Sequence, residues 1–372
     1  MRNSSDHNFY SRRGGSAARP RQPINTEAMR LRIVSACIAV FLSVLPSEGY
    51  GQASTPPVGV IVYTLTSGAT TPIGVPVFGQ TAFSGASTAV SASTLTTSGV
   101  TWTAGQYAQP GAPYFVLMLS GGQTGRLLLV TANTSNSLTL AIGATSLLGD
   151  ATTPAFAAAA GDRFELFQGD TLASLMGDGS VDNPVQLQKG TSAFSADTVQ
   201  IFNGVKWVPY FFHATNNFWT NATGAATNQN NLVLFPDAGM LVARRGPTTT
   251  IAITGRAPTT KLVTRIAGGA TSSIAVRFPT DTTLGALNFS EPGTWVASDV
   301  SFSADRINIF NGIKWVAYFK TVTGSIWNQV SGDGSDQSAK VIPAGSSLLI
   351  QKQGTAADSA SFFSQANPYI SN

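Results

Sequence analysis

A repeated stretch of eighteen residues is the strongest constraint on how this chain of 372 residues can fold. Residues 194–211 read FSADTVQIFNGVKWVPYF and residues 302–319 read FSADRINIFNGIKWVAYF, so thirteen positions are identical at an offset of 108. Self-similarity of this kind indicates a repeated structural unit. Each copy also places Asn-Gly between two runs rich in apolar and β-branched residues, which is a strong hairpin signal. The chain is therefore expected to contain two copies of one β-rich unit.

Weaker matches extend this repeat towards the N-terminus unevenly. Residues 269–276 resemble residues 68–75 at an offset of 201, whereas residues 283–287 resemble residues 171–175 at an offset of 112. The difference of 89 residues predicts an insertion in the first copy near residues 79–167, since insertions are tolerated at exposed turns. The predicted domains are a discontinuous repeat unit 1 (residues 54–78 and 168–258), a nested β module (residues 79–167) and repeat unit 2 (residues 259–372).

Short apolar runs separated by turn residues predict an all-β fold. Two β-sandwich-like repeat units are expected, the first interrupted by a nested small antiparallel β-barrel or sandwich. A coiled coil is disfavoured because only 11% of the residues are charged, and its flanking positions need Glu and Lys. The main predicted strands are residues 58–65, 114–119, 126–131, 137–142, 163–167, 198–202, 205–211, 306–310 and 313–319.

Residues 29–53 have the three-part pattern of a secretory signal peptide. Met29 opens a basic segment, a 13-residue apolar run follows, and small residues lead to Ala53. That run is too short to span a bilayer comfortably, so cleavage after Ala53 is expected, with a buried helix or an uncleaved anchor as the alternatives. The polar residues 1–28 are expected to be disordered or a miscalled extension. The mature chain would be exported to the cell surface, the extracellular space or the periplasm, without a transmembrane segment.

The charges of the chain are unevenly distributed. Residues 1–53 hold seven of the 22 basic and three of the 18 acidic side chains, so residues 54–372 hold fifteen of each. A neutral body gains little from counterion release, and no nucleic-acid partner is expected; its net attraction to an anionic membrane is small for the same reason. After cleavage the only histidine is His213, and no cysteine remains. Acid–base and metal chemistry would have few groups to use, so the sequence predicts a protein that is not an enzyme.

Two polar loops are weak candidates for a calcium site. Asp178 and Asp182 lie in the first loop, and Asp333 and Asp336 lie in the second. Calcium prefers carboxylate and carbonyl oxygens in flexible loops. Neither loop completes an EF-hand pattern, however, and Asx turns explain both loops equally well. No cofactor is expected, and calcium at these loops is the alternative.

Two tryptophans at matching positions, Trp219 and Trp327, are candidates for packing or for binding. Their recurrence in both copies favours a shared place in the core. The alternative is an exposed aromatic platform that binds a glycan, in which the neighbouring amides of Asn221 and Asn328 supply hydrogen-bond donors and acceptors. The first interpretation predicts buried indole rings, and the second predicts exposed ones.

The Asn-Gly pairs of the two hairpins are predicted to form equivalent type I′ turns that fix the register of each hairpin. A tryptophan follows each turn three residues after the glycine. The residues of this structural motif are Asn203, Gly204, Trp207, Asn311, Gly312 and Trp315.

The motif I-F-N-G-x-K-W-V-x-Y-F, followed by a Trp and by a strand that runs from Pro to Gly, resembles a family of uncharacterised exported bacterial β-rich proteins. The opening Val-Gly-Val-Ile-Val-Tyr of residues 58–63 is similar as well. The resemblance implies export and repetition and supplies no catalytic residues. The function expected is therefore that of a non-enzymatic envelope or extracellular protein with a structural or adhesive role, whose partner is a polysaccharide or an envelope protein.

Overall fold

The computed structural model describes residues 57–142, 146–148, 157–266, 268–287, 295–354, 361–365 and 368–369. The predictions for residues 1–28 and for the signal peptide lie outside these residues. The chain from Pro56 onwards forms one compact body. Its described part contains 26 β-strands, one short α-helix and two 3-10 helices, which confirms the predicted all-β fold. None of the sheets formed by the described strands closes into a barrel.

The bounds of these elements follow in chain order. The strands are β1 (Val58–Leu65), β2 (Thr70–Ile73), β3 (Thr81–Ala86), β4 (Ala89–Val90), β5 (Thr94–Thr96), β6 (Ala108–Gln109), β7 (Ala112–Met118), β8 (Leu127–Asn133), β9 (Ser137–Ala141), β10 (Arg163–Gln168), β11 (Asp170–Thr171), β12 (Thr198–Phe202), β13 (Trp207–His213), β14 (Phe218–Asn221), β15 (Val233–Leu234), β16 (Met240–Ala243), β17 (Thr249–Arg256), β18 (Leu262–Ile266), β19 (Thr271–Ala275), β20 (Thr282–Thr283), β21 (Arg306–Phe310), β22 (Trp315–Lys320), β23 (Trp327–Gln329), β24 (Val341–Ile342), β25 (Ser347–Gln351) and β26 (Ser361–Gln365). The helices are α1 (Leu172–Met176) and the 3-10 helices Leu284–Ala286 and Ser301–Ser303.

The first unit, defined here as β1, β2 and β11–β17, contains three antiparallel sheets. Its five-stranded sheet has the order β14-β13-β12-β16-β2, and two ribbons pair β1 with β17 and β11 with β15. The second unit, defined as β18–β26, has a five-stranded sheet in the order β23-β22-β21-β25-β19 and ribbons that pair β18 with β26 and β20 with β24. The five-stranded sheet and both ribbons of the first unit therefore have counterparts with the same strand order in the second unit.

Alternation of apolar side chains explains how the strands build the cores. In β1 the burial alternates from residue to residue along all eight positions, as expected for a strand with one face on a core. Each unit has its own core, and each core encloses a tryptophan, Trp219 in the first unit and Trp327 in the second. A short helical turn follows a threonine cap in both units, at Thr171 and at Thr283, where the threonine hydroxyl accepts a free N–H of the first turn.

The strands between β2 and β11 form the intervening sheet, defined as β3–β10. Seven of its strands lie in the order β3-β10-β7-β8-β9-β5-β4, and β6 pairs with β7. This sheet has a separate core and also contributes three side chains to an apolar cluster shared with both units; the members of that cluster are Phe78, Phe115, Leu117, Phe167, Leu262 and Phe278. A partly buried ion pair joins Glu165 of β10 to Arg256 of β17. The intervening sheet is therefore packed firmly against the two units.

The two units contact each other reciprocally. The Tyr63 hydroxyl of the first unit lies 3.1 Å from the carbonyl oxygen of Gly345, in the turn before β25. Thr264 corresponds to Tyr63 at the offset of 201, and its hydroxyl donates to Asp237 (2.9 Å), in the turn before β16. Reciprocal contacts between equivalent positions are the property of an isologous interface. The two units are thus related as by a pseudo-two-fold axis.

Candidate functional site

Trp219 and Trp327 lie in the cores, so an exposed glycan platform at these two rings is wrong. Trp219 is 0% exposed and Trp327 is 4% exposed. The indole N–H of Trp219 donates to the carbonyl oxygen of Gly177 (2.7 Å), and its ring packs edge-on against Phe212. Trp327 packs against Trp295 with the ring centroids 5.8 Å apart. A sugar needs an open ring face, and these rings are covered on both sides by the fold.

The two amides proposed for the same platform serve the local loops. The side-chain oxygen of Asn221 accepts the backbone N–H and the hydroxyl of Thr223, both at 2.8 Å. The amide group of Asn328 lies within 3.1 Å of the carbonyl oxygen of Gly334. Both side chains are half-buried and have structural partners, so the structure brings none of the four predicted ligand residues to an open surface.

The calcium candidates lie in Asx turns. Asp178 accepts the backbone N–H of Ser180 (2.8 Å), and Asp333 accepts that of Ser335 (3.0 Å). Hydrogen bonds from the side chain and then from the backbone of Ser180 lower the pKa of Asp178, and those from the side chain and then the backbone of Ser335 lower the pKa of Asp333. Asp336 accepts the N–H and the hydroxyl of Ser338, while Asp182 is exposed in the first loop. Among the described residues, no three His, Cys, Asp or Glu side chains come together as a metal-binding group.

A buried ion pair occurs at the same position in each unit, and sequence reasoning missed it. Asp197 pairs with Arg244, and Asp305 pairs with Lys352, with both aspartate side chains 0% exposed. Each carboxylate also accepts backbone N–H groups at 2.6–3.1 Å. Burial lowers the pKa of Lys352, and the hydrogen bond and charge of Asp305 oppose that shift. The signal was present, since each Asp lies in the identical FSAD segment with a basic residue 47 positions later.

These carboxylates hold the fold together and do not face a substrate. A charge at 0% exposure is out of reach of a molecule in solution, and it is retained because its partners replace the water that it lost. Asp237 lines a cleft of about 230 Å³ between the two units, and its side chain is 19% exposed. Asp237 accepts from Thr264 and lies 3.4 Å from the guanidinium of Arg277. The cleft is smaller than the roughly 300–1,000 Å³ of ordinary ligand pockets.

The turns of the two hairpins are equivalent, but they are not of type I′. Type I′ needs positive φ at both central residues. Gly204 and Gly312 have positive φ angles of 92° and 95°, whereas the φ angles of Asn203 and Asn311 are not positive. Each asparagine oxygen instead accepts the N–H groups two and three residues ahead, at 3.0 and 2.9 Å. This Asx-type closure makes each loop four residues long.

The tryptophans that follow these loops stack on each other. The rings of Trp207 and Trp315 are nearly parallel, at 10°, with their centroids 6.0 Å apart. Each ring also contacts the phenylalanine at the end of the preceding strand edge-on, at 5.3 Å, Phe202 in the first hairpin and Phe310 in the second. Because Trp207 and Trp315 are equivalent positions that touch, the pseudo-two-fold axis passes between them.

The same axis passes between a second pair of equivalent residues. A Cβ placed on Gly74 would lie 2.4 Å from the Cβ of Ala275, its counterpart at the offset of 201.

The neighbouring strand β14 pairs with residues 210–213 of β13, and β23 pairs with residues 318–320 of β22. In the described chain, therefore, no strand covers the outer edge of either hairpin at its tryptophan.

The loops beside the stacked tryptophans expose a valine and an isoleucine at matching positions of the two units. Val205 is 86% exposed and Ile313 is 87% exposed, and each is followed by an exposed lysine, Lys206 or Lys314. We define Val205, Lys206, Trp207, Ile313, Lys314 and Trp315 as the hairpin surface. It combines aliphatic, aromatic and cationic groups at matching positions of both units. Contiguous exposed apolar groups of this kind mark interaction sites, and this surface is the candidate site.

The comparisons with known proteins assign no family to the chain, so the candidate site rests on the structural observations above. No protein-family model matches the chain, and no curated protein sequence matches it. Among the helices in the described residues, none has the length and apolar character needed to cross a membrane.

Proposed function

We propose that the chain is a non-enzymatic protein, exported to the cell envelope or the extracellular space, with a structural or adhesive role. The observation that carries this proposal is the exposure of Val205 and Ile313 at equivalent loops of two alike units that meet about a pseudo-two-fold axis. Each of these side chains adjoins an exposed lysine and a partly exposed tryptophan, and exposed apolar groups that lie together mark interaction sites.

Three further features support the same role. The pattern of residues 29–53 supports export, and so does the resemblance to exported β-rich proteins. The sheets of the described chain pack into three cores held by buried ion pairs, which suits a rigid scaffold. Asp197 and Asp305, the aspartates that recur in both units, are enclosed by backbone donors. The partner is a component of the envelope.

Fractionation of the host cells tests the proposal. The mature protein is expected in the envelope or extracellular fraction, with an N-terminus near Ser54 by mass spectrometry. Isolated envelopes are expected to bind the purified protein, and the double variant Val205→Asp, Ile313→Asp is expected to bind them more weakly. A protein that stays in the cytoplasm with residues 29–53 intact, or a hydrolytic activity that purifies with it, would overturn the proposal.

A further inference from the structure

The hairpin surface differs from the rest of the molecule in its charge. The two hairpins, residues 198–213 and 306–320, contain no Asp or Glu, and they contain Lys206, Lys314 and Lys320 together with Arg306. Residues 54–372 as a whole are neutral, with fifteen groups of each sign. Lys206 and Lys314 lie in the loops beside Val205 and Ile313, whereas Arg306 and Lys320 lie at the other end of the second hairpin, where Arg306 pairs with Phe319. The two loops therefore carry positive charge beside their exposed aliphatic side chains and contain no acidic group.

The chemistry of the hairpin surface matches the boundary layer of a lipid bilayer. Tryptophan prefers the depth of the headgroups, because its ring is apolar and its N–H is polar. Lysine extends its apolar stem along the acyl boundary and keeps its ammonium among the headgroups. Anionic headgroups attract lysines that lie close to them. Val205 and Ile313, which are almost fully exposed, would leave water by entering this layer.

We infer that the hairpin surface docks on a lipid membrane with anionic headgroups. Val205 and Ile313 enter the headgroup and acyl boundary, Lys206 and Lys314 contact the headgroup phosphates, and the stacked tryptophans lie between them. This inference rests on the proposed function, since it names the envelope component that the exported protein contacts. The membrane is contacted by these two loops.

A sugar fits the hairpin surface less well than a membrane does. Sugars stack on open aromatic faces, and the facing sides of Trp207 and Trp315 cover each other at 10° and 6.0 Å. Val205 and Ile313 are aliphatic and offer no hydrogen bond to a hydroxyl group. A second copy of the chain is a different occupant, and the experiment below separates it from a membrane.

Sedimentation with vesicles tests the inference. The protein, with and without residues 1–53, is mixed with vesicles of phosphatidylcholine alone or of phosphatidylcholine and phosphatidylglycerol. We expect binding to the anionic vesicles, weakened by salt because charges at a surface are screened. The double variant Val205→Asp, Ile313→Asp is expected to lower the partition coefficient by at least about tenfold, given the cost of a charge in the apolar layer. The variant Lys206→Ser, Lys314→Ser is expected to lower binding to the anionic vesicles only.

The variant Val181→Asp is the matched control. Val181 is 96% exposed, and its loop packs at the opposite end of β13, where a Cβ on Gly179 would lie 2.7 Å from the ring of Phe212. This control is expected to bind like the parent protein. Circular dichroism melting checks the fold of each variant, and Val205→Ser, Ile313→Ser replaces the aspartate pair if that pair unfolds.

Several outcomes overturn the inference. One is vesicle binding by the aspartate variant equal to that of the parent protein, and another is no binding by the parent protein at all. Self-association in light scattering that the aspartate variant abolishes, without vesicle binding, assigns the surface to a second copy instead. If the protein is exported but does not bind vesicles, the membrane inference is wrong and the proposed export stands. If the protein binds vesicles but stays in the cytoplasm, the proposed export is wrong.

Discussion

Tyr63 links the two units through a single hydroxyl. It is 7% exposed, its oxygen lies 2.9 Å from the carbonyl oxygen of Gly74 and 3.1 Å from that of Gly345, and it accepts the N–H of Gly74 (3.2 Å). Burial raises the pKa of Tyr63 to about 12, and the hydrogen bond to Gly74 opposes that shift. The phenol therefore stays protonated in the folded protein at a pH where the unfolded chain has lost the proton.

This difference predicts an alkaline loss of stability. The unfolded chain ionises Tyr63 near its ordinary pKa of 10.0 and the folded protein near about 12, so the folded state binds more protons in between. The contribution of Tyr63 is complete below pH 10 and falls by up to about 1.4 kcal/mol per pH unit above it. Urea unfolding at about pH 9 and about pH 11 should show a smaller decrease for Tyr63→Phe than for the parent protein. Equal decreases would contradict the assignment.

The buried aspartates give a second prediction at this scale. Removing one partner of a buried ion pair leaves the other charge uncompensated, and this costs about 3–5 kcal/mol. We expect Asp197→Ala and Asp305→Ala each to destabilise the protein by that amount in chemical denaturation. Asp336→Ala is the control because its side chain is exposed, and its effect should stay within about 0.5 kcal/mol. A loss of the same size in all three variants would remove the special role of the buried pairs.

At the scale of the element, the hairpin strands were predictable and their connection was not. Strands β1, β12 and β21 have the predicted bounds, because alternating β-branched residues and Asn-Gly stops are local signals. The second strands begin at Trp207 and Trp315, two residues later than predicted. The asparagine side chain competes with the backbone for the N–H groups of the loop, and the sequence pattern does not show which of the two accepts them.

Gly204 tests this view of the loop. Its φ is +92° and nothing lies within 4 Å of a Cβ placed on it, so Gly204→Val would meet backbone strain without a steric clash. The expected cost is about 1–3 kcal/mol. Gly224→Val is the matched control, because that position is equally open but its φ is not in the left-handed region. Thermal melting of both variants measures the difference, and similar melting temperatures would mean that the turn tolerates a β-branched residue.

At the scale of the molecule, the packing between units is what the sequence could not show. The burial of Trp219 depends on which face of its sheet the core occupies, and a period of two residues does not settle that. The stacking of Trp207 on Trp315 is a contact between units, so no local pattern predicts it. The same strand order in both units, by contrast, follows the repeat from the hairpins to the ribbons.

The entry and exit of the intervening sheet lie side by side. A Cβ placed on Gly79, just before that sheet, would lie 2.2 Å from the carbonyl oxygen of Gln168, at its end. The second unit has the same strand order with no such sheet between β19 and β20. Deletion of residues 79–167 therefore joins two points that already touch, and the chain on either side keeps its partners within the two units.

We expect this deletion variant to unfold cooperatively, at lower stability than the parent protein. Phe78, Leu262 and Phe278 lose the apolar partners that the intervening sheet supplies, and Arg256 loses the carboxylate of Glu165. The urea dependence of the free energy of unfolding should also fall, because less surface is exposed on unfolding. A second variant with Phe78→Thr in the same deletion should recover solubility, since that ring faces water once the sheet is gone. A broad, non-cooperative transition in both variants would show that the two units need the intervening sheet in order to fold.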